Sequence, residues 1–197
     1  MPVSSSRSLV LASSSPYRRE LLSRLGLPFE SWSPDLDEAA LAGEAPAATA
    51  VRLARAKARA GEARWPQAWI IGSDQVADVD GQAVSKPGTL ENARRQLRTL
   101  SGRTVRFHTA VCLANGASGR AHERLVTTEV AFRALSDAEI DRYLAREPAI
   151  DCAGSAKSEG LGISLLARLG GDDPTALVGL PLIALCALLR AEGFEVP

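Results

Sequence analysis

The chain has 197 residues with 23 basic and 23 acidic side chains, a formal net charge of zero and 46% hydrophobic residues. That length holds one domain with a real core, and the charge balance argues against a nucleic-acid-coating role, which needs a basic excess to neutralise phosphates. Cys112, Cys152 and Cys186 are odd in number and widely spaced, which makes a poor disulfide framework and offers no zinc spacing even with His108 and His122 added.

The apolar stretch Leu9–Ala12 is too short for a secretory signal, and no apolar run reaches membrane-spanning length. These features read as a soluble, cytoplasmic chain with no membrane partner. Residues 8–12 read as a short buried strand, and Ser15-Pro16 opens a helix, with hydroxyl N-cap and proline at the first position. Its apolar stripe is Leu21, Leu22 and Leu25, and Gly26 stops it.

A second strand is expected over Phe29–Ser33, then an acidic loop over Asp35–Gly43 and a long alanine-rich helix over Pro46–Arg64. Trp69–Gly72 reads as a central strand ending in Ser73-Asp74-Gln75, and Asp80-Gly81 as the turn of a hairpin between Val76–Val79 and Ala83–Val84. Thr89 caps a helix to Leu100, closed by Gly102. Val105–Leu113 and Leu125–Phe132 form a long hairpin around Asn115-Gly116. Ser136-Asp137-Ala138-Glu139 is a capping box for a helix to Arg146. A strand is expected over Leu161–Leu169, and a last helix over Pro181–Ala191, stopped by Gly193. Strands and helices mix without strict alternation, which defines an α/β class with a mixed sheet.

Several residues stand where chemistry is done. After the first strand, Ser13, Ser14 and Ser15 lead into a helix start carrying Arg18 and Arg19. Free backbone N–H groups, the positive dipole end and two guanidiniums suit a phosphate chain. Asp37 and Glu38 lie in the acidic loop, Lys57 on the long helix, Asp74 after an apolar strand, and Lys86 before Pro87. A triphosphate needs cations around it and a divalent metal held by carboxylates. No Walker-type glycine-lysine loop is present, so a kinase or motor reading lacks its central motif. Trp32, Trp65 and Trp69 read as packing residues and the cysteines as small buried hydrophobes. His108 is expected in a strand and His122 in a turn, neither with an evident partner.

Taken together, Leu11-Ala12-Ser13-Ser14-Ser15-Pro16-Tyr17-Arg18-Arg19-Glu20-Leu21-Leu22 resembles the Maf family signature LAS-x-SP-x-RRELL. Further matches follow in order: Asp37-Glu38, Lys57 within Leu53–Ala58, Gly72-Ser73-Asp74-Gln75, Lys86-Pro87, Leu100-Ser101-Gly102, Ala153-Gly154-Ser155, Glu159-Gly160 and Val178-Gly179-Leu180-Pro181. The resemblance spans nearly the whole chain. It implies a single Maf-like domain over residues 1–197, with a mixed, elongated sheet, flanking helices and two lobes around a central cleft. That is the architecture of the house-cleaning inosine-triphosphate pyrophosphatases.

The resemblance also implies metal-dependent hydrolysis between the α- and β-phosphates of a small-molecule nucleotide, with Mg²⁺ or Mn²⁺ as cofactor; it admits a homodimer. Gly-Ser-Asp-Gln and the run Ser155–Gly160 are similar to the branch acting on 7-methyl-GTP. The dTTP/UTP branch carries Gly-Ala-Asp-Thr, an arginine at the position of Tyr17 and a glutamine at that of Glu159. Tyr17 itself departs from the tryptophan often found in the 7-methyl-GTP branch.

On this reading Ser13, Ser15, Arg18, Arg19, Lys57 and Lys86 hold the triphosphate. Glu38 and Asp74 hold the metal, and Asp74 also positions the attacking water. Tyr17 offers an aromatic face to the cationic 7-methylguanine ring, Glu159 accepts its N1–H and amino group, and Gln75 adds a polar contact at base or ribose. Two alternatives stay open here: a pyrophosphatase for dTTP, UTP or another non-standard triphosphate, and a nucleotide-binding regulator of septum formation without turnover.

Overall fold

The computed structural model describes residues 7–197. Seven strands and five α-helices follow the order β1 (Leu9–Ala12), α1 (Pro16–Ser23), β2 (Glu30–Trp32), α2 (Pro46–Ala60), β3 (Trp69–Val79), β4 (Gln82–Val84), α3 (Leu90–Leu100), β5 (Thr104–Asn115), β6 (Arg120–Phe132), α4 (Asp137–Arg146), β7 (Leu166–Gly170) and α5 (Leu182–Ala191). All seven strands form one mixed sheet in the order β2-β1-β3-β5-β6-β7, with β4 on β3. β1 runs parallel to both β2 and β3, and the other pairings are antiparallel.

The long central strands carry separate cores at their two ends. Near the start of β3, Leu9, Leu11, Trp69, Ile71, Val111 and Leu113 pack on one face against Leu21 and Leu22 of α1 and Leu185, Leu188 and Leu189 of α5. The opposite face at that end packs Val10, Ala12, Ile70, Ala110 and Cys112 on Ala50, Ala54 and Ala58 of α2. At the far end, Ala77, Val79, Val105, Phe107, Val130 and Phe132 pack on Ala93, Leu97 and Leu100 of α3 and Ile140, Tyr143 and Leu144 of α4. Trp69, Ile71, Ser73, Gln75, Ala77 and Val79 share one face, because side chains alternate along a strand. The two cores on that face are therefore separated by the polar stretch Ser73–Gln75.

One edge of β3 shows how this topology makes a cleft. β1 pairs with Trp69–Ile71, and β4 pairs with Ala77–Val79. The opposite edge is taken by β5 along Ile70–Asp78. Between the end of β1 and the start of β4, residues 72–76 face no strand.

Several expected elements differ in extent. β3 does not end in Ser73-Asp74-Gln75 but runs on to Val79, so Val76–Val79 belongs to it rather than to a separate hairpin strand. Its continuous pairing with β5 carries the strand past Ser73. α1 stops at Ser23, with its last turn carried to the left-handed Gly26, and α2 stops at Ala60 because Gly61 caps it. Leu161–Leu169 is not one strand. Leu161–Leu165 forms a 3₁₀ turn and β7 begins at Leu166. Gly162 packs so closely on the Lys157 backbone that a Cβ would stand 2.5 Å from its carbonyl oxygen, which coils the chain there. His122 lies in β6 rather than in a turn.

Both histidines have partners. His108 Nε2 is 3.1 Å from Asp78 Oδ2 and its Nδ1 3.0 Å from Thr127 Oγ1, while His122 Nε2 is 2.5 Å from Glu192 Oε1. Of the cysteines only Cys112 is fully buried; Cys152 and Cys186 are partly exposed. Trp32 and Trp65 pack edge to face at 5.4 Å. No helix among the described residues is long and apolar enough to cross a membrane.

Candidate active site

The first wall of the cleft is the N-terminus of α1. Ser15 is its N-cap, and its hydroxyl accepts from the Arg18 N–H at 3.4 Å, satisfying one of the donors a helix start leaves free. Ser13 is buried; its hydroxyl accepts from the Ser15 N–H at 3.2 Å and from Arg18 Nη1 at 3.4 Å. Arg18 Nε donates to the Gly179 carbonyl at 2.8 Å. Gly179 holds φ 118°, a conformation that favours glycine, and Ser73 Oγ donates to the same carbonyl at 3.0 Å. Burial pulls the Arg18 pKa down, against the opposing charges of Asp74 and Glu38.

The second wall is α2, drawn onto β3 by Gly72. A Cβ there would collide with the Ala54 carbonyl and stand 2.5 Å from the Ala58 nitrogen. The close approach lets Lys57 reach the cleft. Its ammonium, 7% exposed, lies 2.7 Å from Asp74 Oδ1 and 2.7 Å from Glu38 Oε1. Asp74 is 9% and Glu38 58% exposed. Burial pushes the Glu38 carboxyl up, but Lys57, with Arg18 and Lys86 behind it, outweighs this and holds it below the usual glutamate value. Lys86 is thus within electrostatic reach, on the exposed segment after β4.

Ser13, Ser15, Arg18, Lys57, Glu38 and Asp74 therefore converge on one cleft, with Lys86 near Glu38. Arg19 is exposed; its backbone N–H donates to the Ser15 carbonyl at 3.2 Å, and its side chain makes no hydrogen bond among the described residues. Gln75 is half-buried, and its amide nitrogen donates to Thr109 Oγ1 at 3.0 Å and to the carbonyls of Ala176 and Leu177, each at 2.9 Å. That nitrogen ties the segment before α5 to the sheet, so the polar contact expected of Gln75 at base or ribose would have to come from Oε1.

Tyr17 and Glu159 meet in a second pocket beside the first. It measures about 560 Å³ and is lined by Tyr17, Glu20, Leu21, Arg24, Glu159, Pro174, Thr175 and Val178. The walls come from α1, from the loop after α4 and from the segment before α5. No group of three or more His, Cys, Asp and Glu with metal-holding geometry occurs among the described residues. The carboxylates available to a cation in the cleft are the two that meet at Lys57.

Sequence reasoning missed the backbone carbonyl of Gly179, which fixes Arg18. The run Val178-Gly179-Leu180-Pro181 carried that signal. It also missed Asp173, buried at the start of α5, where its Oδ2 accepts from the Ile183 N–H at 2.7 Å and the Ala184 N–H at 3.2 Å. Asp151 and Lys157, which touch Tyr17, were likewise unmarked.

The fold is shared with another protein. The structure of the Staphylococcus aureus Ham1 protein matches it with a TM-score of 0.55 at 13% identity, covering 94% of this chain and 100% of that one. That likeness is one of fold. The family follows from the sequence: residues 8–192 match Maf, Maf-like protein, and the chain belongs to this family. A protein of Xanthomonas campestris pv. campestris (strain 8004) named 7-methyl-GTP pyrophosphatase is 60% identical over 189 residues, 96% of this chain and 98% of that protein. Proteins with the same name from Xanthomonas oryzae pv. oryzae (strain MAFF 311018) and Cupriavidus metallidurans are 61% and 59% identical, the latter over 94% of both chains.

Proposed function

We propose that this chain is a nucleoside-triphosphate pyrophosphatase that cuts 7-methyl-GTP between its α- and β-phosphates, releasing 7-methyl-GMP and pyrophosphate, and that it acts as a single Maf-like unit. The observation that carries the reading is the meeting of Lys57, Asp74 and Glu38 beside the Arg18 helix start, next to a pocket holding Tyr17 and Glu159. The relatives' shared name supports the same substrate.

The roles follow from charge. Arg18, the α1 N–H groups and Lys57 bind the triphosphate, with Lys86 and the exposed Arg19 at its outer end; they stabilise charge growing on the pyrophosphate leaving group. Lys57 occupies Oδ1 of Asp74, leaving Oδ2 to accept a hydrogen bond from the attacking water and orient it. Glu38 and Asp74 fit Mg²⁺ or Mn²⁺, because such ions are held by one or two carboxylates with the rest of the shell from phosphates and water. When bound, the ion neutralises phosphate charge that would repel an incoming nucleophile. The walls of the second pocket take the base: Tyr17 presents an aromatic face to a cationic ring, and the Glu159 carboxylate accepts from two adjacent donors on the guanine edge.

A panel of triphosphates with Mg²⁺, scored for pyrophosphate release, tests the proposal. Turnover of 7-methyl-GTP above GTP, UTP and dTTP is expected, and it is lost on chelation. Nucleotide binding without pyrophosphate release would instead make this a non-catalytic regulator.

A further inference from the structure

Tyr17 is not a free aromatic face. Its hydroxyl donates to Asp151 Oδ2 at 2.9 Å, and the Lys157 ammonium stands 5.5 Å from its ring centroid. Lys157 Nζ also pairs with the other carboxylate oxygen of Asp151 at 3.1 Å. One carboxylate thus fixes both the ring and the cation on it. Tyr17 belongs to the helix packed on the core of α1 and α5, whereas the Lys157 backbone N–H is tied to Tyr143 Oη of α4 at 3.1 Å. The contact therefore spans the two ends of the sheet across the cleft. The Tyr17 side chain first and then Asp151, outweighing burial, hold the Lys157 ammonium firmly protonated.

We propose that Lys157 and Asp151 set the charge selectivity of the base pocket: Lys157 rests on Tyr17 as a resident cation, a cationic base takes its place, and Asp151 retains the displaced ammonium. This rests on the assignment of Tyr17 and Glu159 to the base. An aromatic quadrupole attracts one cation to a face, so an ammonium and a methylated purine compete for it. The charged residues lining the pocket are Glu20, Arg24 and Glu159, with Glu20 and Arg24 paired, and the Asp151–Lys157 pair against Tyr17 neutralises itself; the net negative charge left by Glu159 is one that a cationic base cancels and a neutral one leaves uncompensated. Discrimination against unmethylated GTP then depends on Asp151 neutralising Lys157 once it leaves the ring.

The test reads the preference for 7-methyl-GTP over GTP, as a ratio of kcat/KM or as the ratio of their inhibition constants against whichever triphosphate is turned over. Lys157→Met vacates the ring and should raise the ratio about 2- to 5-fold, the span of a solvent-accessible cation–π contact. Lys157→Arg keeps the charge and should hold it near wild type. Asp151→Asn leaves the ammonium uncompensated on the ring and should lower the ratio by a similar factor. A ratio that falls or stays put in Lys157→Met, in protein whose melting matches wild type, overturns the proposal. Tyr17→Leu separates the two levels: a ratio unmoved by it removes Tyr17 from base recognition and the underlying reading with it. A ratio moved by Tyr17→Leu but not by Lys157→Met overturns the resident cation alone.

Discussion

At Lys57 one ammonium compensates two carboxylates, and the burial of Asp74 makes that pairing necessary, since an unpaired buried charge is costly. The sequence marked these residues singly, as charges at a strand, a helix and a loop, and the family resemblance put them in one site; neither showed that one ammonium pairs with both carboxylates. Asp74→Asn keeps the size and a hydrogen bond to Lys57 but removes the charge that orients water. Turnover should fall by about 10²–10⁴, with melting close to wild type, as steady-state kinetics beside a thermal scan would record. Activity within a few-fold of wild type would remove Asp74 from the chemistry. Tyr17 illustrates the limit of motif reading: its type pointed to stacking, but the ammonium on its ring and the carboxylate on its hydroxyl come from residues more than a hundred positions away.

Elements were legible where local signals are strong. The capping box at Ser136 and Glu139 is formed as read, with the Ser136 N–H donating to Glu139 Oε2 at 2.9 Å and the Glu139 N–H to Ser136 Oγ at 3.4 Å. The Ser136 backbone first, then its hydroxyl and Arg133, hold the Glu139 carboxyl down at about 2. Because the folded value lies below the ordinary 4.5, its contribution to stability is complete above that pH and disappears as pH falls toward 2. Glu139→Gln should therefore be less stable than wild type at neutral pH, with the gap closing between those limits in urea titrations. Where tertiary pairing decides, local signals carried less: β3 passes through the polar Ser73–Gln75 because β5 pairs along it. Gly72 links element to site. Gly72→Ala should push α2 off the sheet, destabilise by about 1–3 kcal/mol, and lower turnover further than a matched loss of stability elsewhere, because Lys57 moves with the helix. An alanine variant with wild-type melting and kinetics would contradict the close packing.

For the whole molecule, one sheet carries a core at each end and a gap where β1 has ended and β4 has not begun. Lys57, Asp74, Glu38 and Arg18 stand around that gap, and the pocket of Tyr17 and Glu159 opens beside it. The α/β class and mixed sheet were readable from the mixture of strand and helix patterns, and the cleft from the family resemblance; the pairing that opens the gap was not, because strand order is set by contacts far apart in sequence. On the proposed roles, the base would be gripped at one side and the outer phosphates held by cations at the other, with Asp74 between, which directs hydrolysis to the inner phosphate. Hydrolysis of 7-methyl-GTP in ¹⁸O-labelled water, with products resolved by mass spectrometry, is the most direct measurement of that claim. The account predicts 7-methyl-GMP and pyrophosphate as the first products, with one labelled oxygen carried by one of the two, whereas labelled orthophosphate with accumulating 7-methyl-GDP would contradict it.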